Sequence, residues 1–217
     1  MHRLIAATLC FICVPALASS PGTANPASDA PEHRVDARTP LSEAPSYREA
    51  LRLWRSAEDV NGWIGAHFEY DTARAMQLSE TERNKGDGIA IYAPDAFFAA
   101  PSGVCVDLAR FGVETLRAIA PQSNPAYVMI EFAPMSIAGN TLRRHWLVTF
   151  ERNGQHYFFA DSKRPGYIAG PYANTRDFID EYARYRGREV VAFREVDTYE
   201  RRKRALATRQ PGDSSRP

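Results

Sequence analysis

Cysteine is scarce in this chain, and a strong excess of either charge is missing. Three cysteines stand among 217 residues, and 27 basic side chains are nearly balanced by 26 acidic ones, which leaves a formal net charge of +1. Such a balance provides no electrostatic argument for a nucleic-acid partner. No internal repeat is visible, and no apolar run reaches the roughly 20 residues that cross a bilayer.

The first residues have the three parts of a secretory signal peptide. A short basic start is followed by an apolar run over Leu4–Val14 and by small residues that end at Ala18. We expect cleavage after Ala18 and a periplasmic or secreted protein that does not span a membrane. Cys10 and Cys13 would leave with the signal, so Cys105 would be the one cysteine of the mature chain. A lone thiol in an oxidising compartment is either buried or used.

Composition divides the rest of the chain into three parts. Residues 19–46 are rich in Pro, Ala and Ser and are predicted to form a flexible linker. Residues 47–198 are long enough for one hydrophobic core and are predicted to be a single domain. Residues 199–217 form a charged tail that is predicted to be disordered. The Arg-rich part of this tail is typical of a solvated helix or tail rather than a binding patch.

Apolar periodicity predicts helices before strands. Residues Tyr47–Phe68 have apolar positions at steps of three and four, which predicts one or two amphipathic helices. Ser79–Ser102 has no sustained period and is predicted to be a long loop with a short strand at Ile89–Tyr92 and a lid formed by Asn84–Ser102. A helix is predicted from about Val104 to Ala120, capped by Ser102.

The second half of the domain is predicted to be mainly sheet. Val, Tyr, Phe and Trp are frequent in three segments that we expect to be strands, and a helix and a last strand follow. In chain order these are Ala126–Phe132, Arg143–Glu151, Gln155–Asp161, a helix over Thr175–Arg186 capped by Asn174 or Thr175, and Val190–Val196. Helices first and an antiparallel sheet afterwards predict an α+β fold.

Three side chains have the types and order of a thiol-based catalytic triad. Cys105 falls in the first turn of its predicted helix, where amide N–H groups and the helix dipole stabilise a thiolate. A nucleophile also needs a base and a group that orients the base. Among the histidines of the predicted domain, His145 alone opens a strongly β-forming run, and Asp161 closes the strand that follows. We predict Cys105, His145 and Asp161 as catalytic residues.

The hairpin around Asn153-Gly154 has two possible registers. A two-residue turn would pair Trp146 with Asp161 and would turn His145 to the opposite face. A three-residue turn that includes Arg152 would place His145 opposite Asp161. The triad requires the second register, so we predict it.

These residues resemble the transglutaminase-like superfamily. The resemblance rests on the blocks Ser102–Ala109 and His145–Val148, on Asp161 sixteen positions after the histidine, and on the upstream segment His67–Asp71. It implies a papain-like fold with the nucleophile helix packed on an antiparallel sheet, a thioester intermediate and amide substrates. Because a Cys-x-Asp element opens the helix, the chain is similar to the bacterial transglutaminase-like cysteine proteinases, which are exported enzymes that cut proteins.

Three readings of function remain open from the sequence. A cysteine peptidase or amidase that acts on a protein or peptide is favoured, and a protein-crosslinking transglutaminase is the alternative within the same chemistry. A non-catalytic peptide-binding module could use exposed aromatics, namely Tyr92, Phe97 and Phe98. No cofactor is expected, and no short His/Cys spacing indicates a metal site. For Asp107, a hydrogen-bond acceptor role at the helix start is preferred to a metal role.

Overall fold

The computed structural model describes residues 43–85, 89–160 and 167–200. The expected signal peptide, most of the expected linker, Asp161 and nearly all of the expected tail lie outside these residues. Within them, no helix combines the length and the apolar character needed to cross a membrane.

The chain begins with a group of helices. In order, α1 is Tyr47–Leu53, α2 Ala57–His67, α3 Thr72–Gln77, α4 Glu80–Arg83, α5 Pro94–Ala99 and α6 Cys105–Ile119. The first predicted helical region is two helices, because Ser56 starts α2 with its own cap. Its hydroxyl accepts the N–H of Asp59, whose carboxylate accepts the N–H of Ser56 in return.

The segment predicted to be a loop is more ordered than its sequence pattern indicates. It contains the short helices α4 and α5, and the strand predicted at Ile89–Tyr92 is wrong. Side chains bind the backbone there in place of a sheet: Arg74 donates to the carbonyl of Ala90, and the Tyr92 N–H donates to Asp107. Helix α5 begins at Pro94, whose fixed φ suits the first helical position.

Five antiparallel strands form the sheet. They are β3 Ala126–Ile137, β4 Asn140–Arg152, β5 Gln155–Phe159, β6 Ala169–Tyr172 and β7 Val190–Val196, and they lie in the order β6-β5-β4-β3-β7. A separate parallel pair joins β1 Glu69–Tyr70 to β2 Ser102–Gly103, just before α6. The α+β prediction and the last helix, α7 Thr175–Arg186, are confirmed, with Asn174 as the cap of α7.

The edge strand β6 was not predicted. Its four residues, Ala-Gly-Pro-Tyr, contain no β-branched side chain, and Pro171 cannot donate a ladder hydrogen bond. An edge position tolerates such a residue, since one side of the strand has no partner to receive a hydrogen bond. Strand β6 is therefore formed by its pairing with β5 and not by the local propensity of its residues.

The β4–β5 hairpin adopts the two-residue register, so the predicted three-residue register is wrong. Arg152 pairs with Gln155, and the pairing continues to Val148 with Phe159. Asn153 and Gly154 both have positive φ, at 53° and 72°, which is the conformation of a type I′ turn. That turn matches the twist of the flanking strands, which is the physical reason that the shorter loop is formed.

Helices cover both faces of the sheet. On one face α6 packs on β4, and the close approach depends on Gly112: a Cβ there would lie 2.6 Å from Val148 Cγ2 and 2.9 Å from Phe159 Cε2. On the other face, α7 contributes Phe178 and Tyr182 to a second core. Helix α6, which carries Cys105, therefore packs on the antiparallel sheet, as the resemblance implies.

Candidate functional site

Cys105 is the first residue of α6, and its side chain is half-buried. Val104 precedes the helix in extended conformation, so the predicted cap at Ser102 is wrong; Ser102 lies in β2. The first N–H groups of a helix have no partner within the helix and carry its positive end. The thiol sulfur thus stands where an anion is stabilised.

Asp107 fastens this end of the helix to its surroundings. Its carboxylate is fully buried and accepts the N–H of Val104 at 3.1 Å and the N–H of Tyr92 at 2.9 Å. Arg74 donates to both of its oxygens, from Nε and Nη2, at 2.7 Å each. Asp107 is a structural acceptor, which is the role preferred from the sequence.

Arg74 is a component of the site that sequence reasoning missed. It is 6% exposed, and besides Asp107 it donates to the carbonyl of Ala90 at 2.6 Å. Its guanidinium carbon lies 3.6 Å from the ring centroid of Tyr92. Thirty-three residues separate Arg74 from Asp107, so no local pattern indicates the pair. One arginine therefore joins α3, the segment before α5 and the start of α6.

A cavity of about 580 Å³ lies beside the start of α6. Cys105 and His145 both line it, with Val104, Val106 and Trp146 next to them. Ile91 adds an apolar wall from the segment that Asp107 and Arg74 hold. Two of the three predicted catalytic residues are thus brought to one cavity, and Asp161 lies outside the described residues.

The imidazole of His145 is enclosed although the residue keeps some exposed surface. Its Nε2 atom is buried, and its ring stacks on Tyr182 with centroids 5.9 Å apart and planes 13° apart. Burial, together with the smaller effect of the nearby charges of Arg186 and Arg188, lowers the pKa of His145 to about 3. The imidazole is therefore neutral at pH 7, in the form that can accept a proton.

Successive side chains of β4 point to opposite faces of the sheet. Leu147 belongs to the core on the α7 face, and Trp146 packs against the core on the α6 face. His145 alternates with Trp146 and reaches the cavity from the α7 side, beside Tyr182. Asp161 lies outside the described residues, so its role stays a prediction.

Comparison with known proteins identifies the domain. Over residues 50–191 the chain matches the family described as a transglutaminase-like domain. The chain belongs to this family. No curated protein gave a significant match.

Two further predictions concern groups around the site: one is on exposed aromatic side chains, and the other is on metal binding. Phe97 was expected to be exposed but is fully buried in the core of the domain. Its ring centroid lies 5.1 Å from that of Phe111. Tyr92 and Phe98 are half-buried. Within residues 43–85, 89–160 and 167–200, no three His, Cys, Asp or Glu side chains are grouped to hold a metal ion.

Proposed function

We propose that this transglutaminase-like protein is an exported thiol-dependent hydrolase that cleaves amide bonds in proteins or peptides through a thioester. Cys105 is the nucleophile, His145 is the base and acid, and Asp161 orients the histidine. The proposal rests on one observation: the thiol at the start of α6 and a neutral imidazole from β4 line the same cavity.

The reaction proceeds in two acyl-transfer steps. His145 takes the proton of the Cys105 thiol, and the sulfur attacks the amide carbonyl carbon to form a carbon–sulfur bond. The carbon–nitrogen bond breaks, and the amine leaves with the proton that His145 returns. Water, deprotonated by His145, then attacks the thioester, and an acid and the thiol are released.

Two features of the site favour negative charge on reacting atoms. Helix N–H groups at the start of α6 point towards the N-terminal end, where an oxyanion on the substrate carbonyl would develop. Arg186 and Arg188 also line the cavity, and the positive potential that opposes protonation of His145 favours a thiolate on Cys105. Both features add to the effect of His145 on the thiol.

A non-catalytic peptide-binding module is the second candidate, and the pKa of His145 favours it. A buried imidazole with a pKa of about 3 is a weak base, so proton transfer from the thiol is opposed. The apolar walls of the cavity would suit a peptide without any turnover.

The test is incubation of the mature protein with an unfolded protein substrate in the presence of a fluorescent primary amine. We expect new N-termini, detected by mass spectrometry, and their complete loss in Cys105→Ala. Amine incorporation without new N-termini would identify a crosslinking enzyme instead. Neither product from the wild-type protein would favour the binding module.

A further inference from the structure

The cavity beside Cys105 is rich in arginine side chains. Among residues 43–85, 89–160 and 167–200, five arginines and one carboxylate, that of Glu200, line it. The arginines come from three parts of the fold: Arg83 from α4, Arg143 and Arg144 from β4, and Arg186 and Arg188 from the end of α7 and just beyond it.

The two arginines of β4 differ from Arg188 in their partners. On the β4 side, Arg143 and Arg144 form ion pairs with Glu80, and Arg144 also pairs with Glu131 at 3.1 Å. These charges are largely balanced within the protein, so the β4 side contributes little net potential.

On the α7 side the contacts of Arg188 are with neutral groups. Its Nη2 donates to the carbonyl of Ala133 at 3.2 Å, and its guanidinium carbon lies 4.4 Å from the centroid of the Phe132 ring. Burial and the neighbouring charge of Arg186 lower the pKa of Arg188, and both arginines oppose protonation of His145. Among the described residues, no carboxylate is paired with Arg188.

We propose that Arg188 forms a carboxylate-binding subsite, and that the substrate is a peptide with a carboxylate next to the amide bond that Cys105 attacks. Arginine presents its N–H groups in a planar fork that matches a carboxylate. A bound carboxylate would also give a charged partner to the guanidinium of Arg188, whose described contacts are with neutral groups. The carboxylate can belong to an acidic side chain or to the C-terminus of the peptide.

This inference rests on the proposed function for the position of the scissile bond, but its test does not require turnover. Cys105 of the mature protein is alkylated with iodoacetate, which carries a carboxylate, and with neutral iodoacetamide. The ratio of the two rate constants measures the preference for an anion at the thiol. We expect Arg188→Gln to lower this ratio by about three- to tenfold.

The matched control is Arg184→Gln, which removes the same charge from an exposed position of α7 that does not line the cavity. Its ratio should equal that of the wild-type protein. Raising the salt concentration should lower the wild-type ratio towards that of Arg188→Gln, and this result does not depend on the folding of any variant. An equal ratio in all proteins and at all salt concentrations, or a thiol that neither reagent reaches, would overturn the proposal.

Peptide protection identifies the source of the carboxylate. Three matched peptides compete with iodoacetamide: one with a Glu side chain and an amidated C-terminus, one with Gln and a free C-terminus, and one with Gln and an amidated C-terminus. Protection by the first indicates a side-chain carboxylate, and protection by the second a terminal one. Protection by neither, or equal protection by all three, would contradict the subsite.

The two proposals can fail separately. A thiol that reacts only at high pH but prefers iodoacetate through Arg188 would keep the subsite and refute the hydrolase. A thiol that His145 activates and that shows no preference for the anion would keep the hydrolase and refute the subsite.

Discussion

The imidazole of His145 is kept neutral by its surroundings, and folding must therefore depend on pH. Its folded-state pKa of about 3 lies well below the usual 6.5, because the ring is buried beside Arg186 and Arg188. Below pH 6.5 the unfolded chain binds a proton at this histidine that the folded protein does not bind. Stability is fully present above pH 6.5 and is lost as pH falls towards 3.

We expect the free energy of unfolding to fall by about 2 kcal/mol between pH 7.5 and pH 5 through this one group. This window lies above the usual range of carboxyl titration. His145→Asn should flatten the dependence, because the group that binds the proton in the unfolded chain is gone. Urea denaturation at a series of pH values measures the slope.

The exposed Arg184→Gln variant is the control for this prediction and should keep the wild-type slope. A wild-type protein whose stability does not change over this window would show that His145 is charged in the folded state, and the prediction would then be wrong.

At the level of single residues, the sequence predicted the two cavity residues whose side chains are typical of thiol catalysis. Cys105 was placed by the periodicity of its helix, and His145 by the β-forming run that it opens. Arg74 and Arg188 were missed, because a buried arginine has no sequence pattern that separates it from a solvated one. Their partners lie far away in the chain: Asp107 is 33 residues from Arg74, and Ala133 is 55 residues from Arg188.

Among the helices and strands, α6 is held in position by its close approach to the sheet and by a buried ion pair. Gly112 permits contact with Val148 and Phe159, and Asp107 holds the N-terminal end through Arg74. Cys105 stands seven residues before Gly112 on this helix, so the depth of the helix on the sheet sets the position of the sulfur.

We expect Gly112→Ala to destabilise the protein by about 1–3 kcal/mol, because its Cβ would overlap Val148 Cγ2 in a packed core. Gly62→Ala is the matched control: it also lies within a helix, α2, and a Cβ there would meet nothing within 4 Å. That variant should be neutral or up to about 1 kcal/mol more stable. Chemical denaturation compares the two, and equal effects would contradict the packing account.

Removal of the charge from Asp107 should have a larger effect. Asp107→Asn leaves the guanidinium of Arg74 buried without its carboxylate, and we expect a loss of about 3–5 kcal/mol in the free energy of unfolding. Glu49→Gln disrupts an exposed ion pair with Arg52 and should change it by less than about 1 kcal/mol. A loss below 1 kcal/mol in Asp107→Asn would show that this ion pair does not hold the helix.

Elements with a strong period could be predicted, and elements formed by tertiary contacts could not. Helices α6 and α7 and strand β7 were predicted within one residue of their ends. Strand β6 was missed because it depends on β5 as a partner, and residues Ile89–Tyr92 were assigned to a strand although side chains bind their backbone. The hairpin register was chosen to suit the triad, whereas the Asn-Gly pair favours a two-residue turn.

For the whole molecule, the site is lined by both layers of helices and by the central strand of the sheet, β4. Cys105 reaches the cavity from α6 on one face, and Arg186 reaches it from α7 on the other. The intervening strand β4 contributes His145. The family match covers residues 50–191, so all three predicted catalytic residues lie within the matched region.

Alkylation of Cys105 by iodoacetamide between pH 4 and pH 9 tests the central claim most directly. The wild-type protein is compared with His145→Asn and with His156→Asn, a histidine on β5 that does not line the cavity. We predict reaction well below the ordinary thiol pKa of about 8.5, lost in the His145 variant and kept in the His156 variant. A thiol that reacts only as the pH approaches 8.5, equally in all three proteins, would contradict the assignment of Cys105 and His145 as a catalytic pair.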